Sequence, residues 1–219
     1  MKKIIVLFTI LFSVNAVFGQ ALKSVKVDSL VSVSLPSSYT KKDTLGQQIF
    51  TANTDLGYII AIRQLNAKGN QPLKKESDLN AVLKDYIQGI QSQSGNGSAQ
   101  NIRDTTIGKL KAKAFTLFIS DPNGESQYRN FVLLYTQDAT YTFEYGYPES
   151  RKDFIQGESK AYFASIKLSS ELQLNDQYTD TRPSHSINTN TVIEASGGIL
   201  MLGLIAWFIF RKRDSGEFA

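Results

Sequence analysis

Hydrophobic and polar residues alternate along the first third of the chain in the pattern of β-strands. Segment 31–36 alternates valine or leucine with serine and ends on a proline, which predicts a half-buried strand. Segments 48–52 and 58–65 are two further apolar runs, and a polar turn at 53–57 separates them. The third run is apolar enough to predict a strand in the centre of a sheet.

The hydrophobic period changes to that of a helix after residue 76. Ser77 is a favoured N-cap residue, and Asp78 places a negative charge in the first turn. The apolar positions that follow are spaced by three and four residues, which predicts an amphipathic helix. These positions are Leu79, Val82, Leu83, Tyr86, Ile87 and Ile90.

Four more strands and a second helix complete the pattern. The strands are predicted at 99–106, 110–120, 127–136 and 140–147. The turns between them are short and polar, which favours antiparallel hairpins. Ser150 and Asp153 have the spacing of a capping box, so a helix is predicted to begin there, with an apolar stripe of Phe154, Ala161, Tyr162 and Ile166. The expected fold class is α+β: a mostly antiparallel sheet of about six to seven strands with two covering helices.

The two ends of the chain have the patterns of targeting and membrane segments. Residues 1–19 combine two lysines with a short apolar run, which is typical of a cleaved secretory signal peptide; the alternative is an uncleaved signal anchor. Residues 191–210 are a second apolar segment, and about 20 such residues cross a bilayer as a helix. We therefore expect an exported protein with one C-terminal transmembrane helix.

The residues that follow the second apolar segment predict its orientation. Trp207 lies near the end of the segment, where tryptophan favours the membrane interface, and Arg211, Lys212 and Arg213 come directly after it. By the positive-inside rule, residues 211–219 are a cytoplasmic tail, and the domain lies in the periplasm or at the cell exterior. An alternative is a sorting signal that a transpeptidase removes, although no LPxTG-like motif precedes the segment.

Composition divides the middle of the chain into a domain and a tether. Residues 20–168 are predicted to form one extracytoplasmic domain. Residues 169–190 are rich in Ser, Thr, Asn, Asp and Gln, which predicts a polar stalk. Residues 20–190 carry 19 basic and 17 acidic side chains, and this near-neutral balance argues against a nucleic-acid partner. The chain has no cysteine, which excludes disulfide scaffolds and Cys-based metal sites.

The sequence gives little support for catalysis. His185 is the single histidine, and it lies in the predicted stalk, which does not hold a general base in a fixed position. No glycine-rich phosphate loop is present, so we expect no catalytic residue, no cofactor and no metal ligand. The acidic side chains leave a carboxylate-dependent hydrolase as an alternative, but no spacing singles out a pair of them.

Lysines on one strand are the first candidate contact residues. Lys109, Lys111 and Lys113 alternate along the strand predicted at 110–120. They form either a solvated or edge-protecting stripe, or a docking patch for an acidic partner or anionic lipid headgroups.

Aromatic residues on the last predicted strand are the second candidate. Tyr141, Phe143, Tyr145 and Tyr147 share one face of it. They form either part of the core or a partly open aromatic platform for a peptide or glycan. The candidate binding surface is therefore the three lysines together with Tyr141, Tyr145 and Tyr147.

Several local patterns resemble those of a known superfamily. They are the strand and turn at 31–39, the aromatic Phe50, the turn into a strand at 107–112 and the closing segment 162–167. Together with the order of elements, they resemble the PsbP/Mog superfamily, which includes the extrinsic PsbP subunit of photosystem II and the Ran-binding Mog proteins. The resemblance implies a PsbP/Mog-like α/β sandwich in a non-catalytic protein that docks onto a larger partner. No position matches a ligand site of that family.

The sequence therefore predicts a membrane-anchored, extracytoplasmic, non-enzymatic binding or docking domain. The expected partners are the membrane, through a single pass, and a protein at or near it. One alternative is an accessory subunit of a membrane complex that associates through its transmembrane helix. The carboxylate-dependent hydrolase is the second alternative.

Overall fold

The computed structural model describes residues 22–44, 46–67 and 72–180. Outside these residues lie the predicted signal peptide, transmembrane helix and cytoplasmic tail, and with them His185, Trp207, Arg211, Lys212 and Arg213. Within the described ranges, no helix combines the length and the apolar character that crossing a bilayer requires.

The described residues form ten strands in two antiparallel sheets. The strands are β1 Leu22–Lys26, β2 Val31–Pro36, β3 Thr40–Thr44, β4 Gln47–Asn53, β5 Tyr58–Leu65, β6 Gly97–Ile107, β7 Leu110–Ile119, β8 Gln127–Tyr135, β9 Ala139–Pro148 and β10 Lys167–Leu168. The larger sheet has seven strands in the order β3-β4-β5-β9-β8-β7-β6, and the smaller has three in the order β1-β2-β10. The expected α+β class with a mostly antiparallel sheet is confirmed, although the strands divide between two sheets.

Two helices flank the sheets. They are α1 Glu76–Gln93 and α2 Gln156–Ala164, and short 3₁₀ turns lie at Glu149–Arg151 and Leu174–Asp176. The start of α1 differs from the prediction, because Lys75 rather than Ser77 is the N-cap. The Asp78 carboxylate accepts hydrogen bonds from the backbone N–H groups of Lys74 and Lys75, at 3.1 and 3.0 Å. The acidic side chain thus satisfies donors just before the first turn.

The start of α2 also differs from the predicted capping box at Ser150. A 3₁₀ turn at Glu149–Arg151 comes first, and the helix begins only at Gln156. Phe154 precedes the helix and is 72% exposed, so the prediction that it belongs to the apolar stripe was wrong. The buried residues of this segment are Ile155, Ser159, Tyr162 and Ile166, and Ala161 of the predicted stripe is exposed as well. A turn of 3₁₀ geometry rotates side chains differently from an α-helix, which is why the predicted stripe loses its first member.

Two large clusters form most of the core, one on each face of the seven-stranded sheet, and a small third cluster comprises Ile49, Ile60 and Ile62 of β4 and β5. On the first face, apolar residues of α1 pack against β7 and β8. On the second face, the three-stranded sheet and α2 pack against β4, β5, β7, β8 and β9. The molecule is therefore layered as helix, large sheet, and small sheet with helix.

Gly146 provides room for an aromatic ring on the α1 side of β9. A Cβ atom at this position would lie 2.1 Å from Cζ of Tyr58, far inside van der Waals contact. Residues 58 and 146 are directly opposite each other in the pairing of β5 with β9. The missing side chain therefore lets the Tyr58 ring lie across the neighbouring strand.

The folded region extends beyond residue 168, where composition placed the start of a stalk. Leu172, Gln177 and Tyr178 are buried. Gln177 accepts a hydrogen bond from the backbone N–H of Lys111 and donates to the carbonyl groups of Lys111 and Tyr135. The stalk prediction is therefore corrected for residues 169–180, because buried apolar side chains and Gln177 attach this segment to the domain. Residues 181–190 lie outside the described ranges.

Candidate binding surface

The three candidate lysines each contact a side chain of the same chain. Lys109 donates to Oε1 of Gln173 at 3.1 Å, Lys111 forms an ion pair of 2.9 Å with Glu76, and Lys113 pairs with Asp104. The hydrogen bond from Lys111 to Glu76 raises the pKa of Lys111. Glu76 and Asp104 offset the charges of Lys111 and Lys113, and only Lys109, which contacts a neutral amide, keeps its charge uncompensated among the described residues, so the three lysines do not form the cationic patch that was expected for an acidic partner.

The edge-protecting interpretation of the lysines is wrong as well. Lys111 and Lys113 belong to β7, and β6 forms the edge of the sheet outside it. The two side chains point to the α1 face, where Glu76 of the helix and Asp104 of the edge strand meet them.

The three candidate tyrosines belong to the core and not to an open surface. Tyr141 is 1% exposed, Tyr145 is 0% exposed and Tyr147 is 6% exposed. The Tyr141 hydroxyl donates to Asp28 at 2.6 Å, and Arg63 pairs with the same carboxylate oxygen at 2.7 Å. Burial raises the pKa of Tyr141 and of Tyr145 above the ordinary value. The small sheet and α2 cover these rings, so the core interpretation holds for them.

A partly exposed group of aromatic rings does occur, and it spans three neighbouring strands. Phe118 of β7, Tyr128 of β8 and Tyr147 of β9 stand side by side across the sheet, and we call them the aromatic ladder. The Phe118 and Tyr128 centroids are 4.9 Å apart, and those of Tyr128 and Tyr147 are 5.6 Å apart with ring planes 13° from parallel. Phe118 and Tyr128 are only half-buried. The ladder thus runs from a buried ring at β9 to partly exposed rings at β7 and β8.

Polar groups surround the ladder. The Tyr128 hydroxyl donates to Glu149 at 3.3 Å, and the Lys152 ammonium lies 4.8 Å from the centroid of the Tyr128 ring. Thr116 donates to Oδ1 of Asn130 at 2.8 Å. Burial raises the pKa of Tyr147, and a hydrogen bond from Asn130 partly offsets this. Both Thr116 and Asn130 are half-buried, and they lie on the same face as the rings.

The edge strand β6 leaves the outer side of the ladder open. Ser98 is directly opposite Phe118, and Gln100 is directly opposite Thr116; both are exposed. The pairing of β6 with β7 becomes irregular just after Gln100, where Asn101 has a φ of 53°. Serine is too short to cover a phenyl ring, so Tyr128 flanks the Phe118 ring on one side and only a hydroxymethyl group flanks it on the other.

The ladder lies at the end of the sheet away from the last described residue. Asp180 bonds to Lys74 at the start of α1, and Gln177 bonds to Lys111 near the start of β7. Phe118 is seven residues further along β7, which corresponds to about 23 Å of extended strand. A segment that leaves the domain at Asp180 therefore starts far from the ladder.

Sequence reasoning found Tyr147 but missed Phe118 and Tyr128. Each of these two is the single aromatic residue on its face of the strand, and only the register of β7 with β8 brings them together. A usable signal was present. Thr116 lies two residues before Phe118, and Asn130 lies two residues after Tyr128, so each polar residue shares one face of its strand with the aromatic residue. Polar residues on that face indicate that it is not fully covered.

The most deeply buried charges form an ion pair on the α1 face. Arg129 donates two hydrogen bonds to the Glu144 carboxylate, at 2.5 and 2.7 Å. Burial is the largest single influence and lowers the pKa of Arg129, but the charge and hydrogen bonds of Glu144 together with the interaction with Tyr58 exceed it, so the pKa is raised overall. The paired Glu144 carboxylate is fully engaged by this guanidinium. Over residues 22–44, 46–67 and 72–180, no group of three or more His, Cys, Asp or Glu side chains is placed to hold a metal ion.

No protein-family model matches the chain, and no curated protein matches it. Among solved structures, it is similar to cyanobacterial PsbP (CyanoP) from Synechocystis sp. PCC 6803, with 13% identity, a TM-score of 0.47, and coverage of 71% of this chain and 96% of that one. It is also similar to a protein from Bacteroides thetaiotaomicron, with 16% identity, a TM-score of 0.35, and coverage of 64% of this chain and 46% of that one. A protein of unknown function from Pseudomonas aeruginosa, PA94, has 10% identity, a TM-score of 0.41, and coverage of 64% and 91%.

PsbP, which the sequence patterns resemble, is thus among the solved structures similar to this chain. The likeness concerns the fold alone. The chain spans less than half of the Bacteroides protein. With TM-scores below 0.5, these three likenesses carry no argument about function.

Proposed function

We propose that the chain is a membrane-tethered, extracytoplasmic binding domain without catalytic activity, and that the aromatic ladder is its contact surface. The observation that carries the proposal is the position of Phe118 and Tyr128, whose rings pack against each other at 42° yet stay only half-buried. Aromatic side chains contribute a large contact area at a low entropy cost, and they are enriched at binding surfaces. The hydroxyl and amide groups beside them supply hydrogen bonds that fix the orientation of a ligand.

The tether explains the placement of this surface. The predicted span at 191–210 begins shortly after the last described residue, Asp180, so the end of the domain that carries Asp180 is held near the bilayer. The ladder, at the other end, is directed away from it. Holding a domain at the membrane raises its effective concentration toward partners there without any new contact.

The tether is tested on intact cells. Protease added outside should digest the domain, and an alkaline carbonate wash should leave the mature chain in the membrane fraction. A domain that survives the protease, or a chain that the wash releases, contradicts the tethered orientation.

The contact surface is tested by photo-crosslinking in living cells. A photoreactive phenylalanine analogue replaces Lys152, which is exposed beside Tyr128 and leaves the open side of Phe118 free, and the matched control replaces Ser92, which is exposed on α1. We expect an adduct from position 152 and none from position 92, and Phe118→Ala should remove it. Equal labelling at both positions, or labelling that is independent of Phe118, would contradict the assignment of the surface.

Exchange of residues 191–210 for an unrelated span separates this proposal from an accessory subunit that associates through its helix. If the domain makes the contact, the adduct at position 152 persists after the exchange. If the helix makes it, the adduct is lost while the chain stays in the membrane.

A further inference from the structure

We infer that the ligand of the aromatic ladder is a neutral carbohydrate chain. This inference rests on the proposed function, because it assigns a chemical class to the ligand of the same surface. Three features carry it: the open side of the Phe118 ring, the uncharged hydrogen-bonding groups next to it, and the balance of the nearby charges.

The open side of Phe118 suits a pyranose ring. The C–H groups on one face of a sugar ring carry a slight positive charge, and the face of an aromatic ring is negative, so the two attract when they stack. Tyr128 occupies one side of Phe118 at 4.9 Å, and across β6 the opposite position holds only Ser98. The space above Ser98 therefore allows a flat, partly apolar ring to lie against the phenyl group.

The neighbouring polar groups match sugar hydroxyls. Gln100 and Asn130 each carry both donors and an acceptor, and Thr116 adds a hydroxyl, all on the same face of the sheet. Sugar hydroxyls donate and accept at once, so a set of amides and hydroxyls satisfies them without a charged residue. The hydrogen bond between Thr116 and Asn130 holds these two groups in place before a ligand arrives.

The charges at the ladder favour a neutral ligand. Glu149 and Lys152 both contact Tyr128, so their opposite charges offset each other. Arg103 shares this face but lies beyond the irregular stretch of β6. A phosphate or sulfate ligand requires several converging cations. Among the described residues, Lys152 is the cation that contacts the Tyr128 ring, and Glu149 offsets its charge.

The edge of β6 works against an added strand of a protein partner. Pairing along an edge needs a regular run of backbone donors and acceptors, and the irregularity between Gln100 and Arg103 interrupts that run. A ligand is therefore directed onto the face of the sheet, above Ser98, and not along its edge.

The test uses the full chain purified from membranes in a detergent without a sugar headgroup, such as lauryldimethylamine oxide, because glucoside and maltoside detergents would compete. The probes are neutral hexasaccharides of glucose, mannose, galactose and xylose, a hexauronate as the charged comparison, and a set of uncharged hexapeptides. Binding is measured by titration calorimetry. We expect at least one neutral hexasaccharide to bind and the hexauronate to bind more weakly.

Three variants locate the site. Phe118→Ala removes the stacking ring and should weaken binding by about tenfold. Ser98→Glu leaves the ring but fills the space above the serine and adds a charge, at an exposed position where folding is little affected, and it should weaken binding as much. Phe154→Ala is the matched control, because Phe154 is an exposed phenylalanine outside the ladder, and it should bind as the parent does.

The carbohydrate assignment is overturned if no neutral hexasaccharide binds, if the hexapeptides bind instead, or if Phe118→Ala and Ser98→Glu bind as tightly as the parent. The proposed function fails separately, when photo-crosslinking at position 152 yields no adduct that depends on Phe118. A ladder-dependent protein adduct together with absent sugar binding therefore overturns the carbohydrate and keeps the binding domain.

Discussion

Strands β7 and β8 carry two aromatic pairs, one on each face, and the two pairs have different environments. Phe115 and Phe131 stack under α1 with centroids 4.6 Å apart and ring planes 5° from parallel, and they are 1% and 3% exposed. Phe118 and Tyr128 on the other face lie 4.9 Å apart at 42° and remain half-buried. The same strand pairing thus builds a core contact on one side and a surface contact on the other. The layer that packs over the rings, and not the strand pairing, therefore decides whether an aromatic pair is buried.

The largest effect is expected from the covered pair. Phe115→Ala removes a ring that is packed on all sides and leaves a cavity under α1, so the free energy of unfolding should fall by about 4 kcal/mol. Chemical denaturation of the full chain, followed by circular dichroism, measures it. A loss below about 1 kcal/mol would mean that α1 does not seal this face.

The ion pair on the covered face gives the next effect. Glu144→Gln leaves the Arg129 guanidinium buried without its counter-charge, and we expect a loss of about 3 kcal/mol in the free energy of unfolding. The control is the double variant Arg129→Met and Glu144→Leu, which removes both charges and should cost much less. Equal losses in the two proteins would show that side-chain packing, and not the unpaired charge, governs the change.

Alkaline pH tests the burial of the tyrosines beneath the small sheet. Burial raises the pKa of Tyr141, Tyr145 and Tyr162 above the ordinary value of 10. Because the folded pKa is the higher one, the neutral rings stabilise the fold fully below pH 10, and this contribution is lost as the pH rises from 10 toward the folded pKa. A tenfold difference in proton affinity between the folded and the unfolded chain corresponds to about 1.4 kcal/mol for each tyrosine. Denaturation midpoints at a series of pH values should therefore fall above pH 10, and Tyr145→Phe should reduce the fall.

The smallest effect is expected from the open pair. Phe118→Ala removes a half-buried ring with one free side, so the free energy of unfolding should fall by about 1 kcal/mol. The same denaturation assay compares it directly with Phe115→Ala three positions earlier on the strand. A loss as large as that of Phe115→Ala would place Phe118 in the core and remove the basis for a contact surface.

Much of the fold could be predicted from hydrophobic period alone. Segments with a clear period, such as β5 and α1, formed where the pattern placed them. The edge strand β3 was missed because Thr40–Thr44 is polar on both faces, so no alternation marks it. Strand β1 was missed for a related reason, since four of its five residues are exposed. Edge strands are held by backbone hydrogen bonds, which leave little trace in side-chain polarity.

The proposed contact surface was harder to predict, because its residues come together only through the register between neighbouring strands. A run of alternating aromatics on β9 pointed to Tyr141, Tyr145 and Tyr147, but the small sheet covers that face. Whether a face is covered depends on how β1, β2 and β10 pack over the large sheet, and these residues are distant in sequence. The half-buried rings of Phe118 and Tyr128 are brought together by the pairing of β7 with β8, and the hydrophobic period of a single strand carries no information about that pairing.

The segment that folds back after β10 has a mechanical consequence. Gln177, Thr179 and Asp180 fasten it to β7, β8 and the start of α1 through hydrogen bonds near its end. A pulling force applied at Asp180 acts on these few hydrogen bonds before it acts on either sheet, so this segment is the first to detach. Releasing residues 169–180 would lengthen the tether by about 40 Å of extended chain, and it would withdraw Leu172 and Tyr178 from the two main clusters of the core.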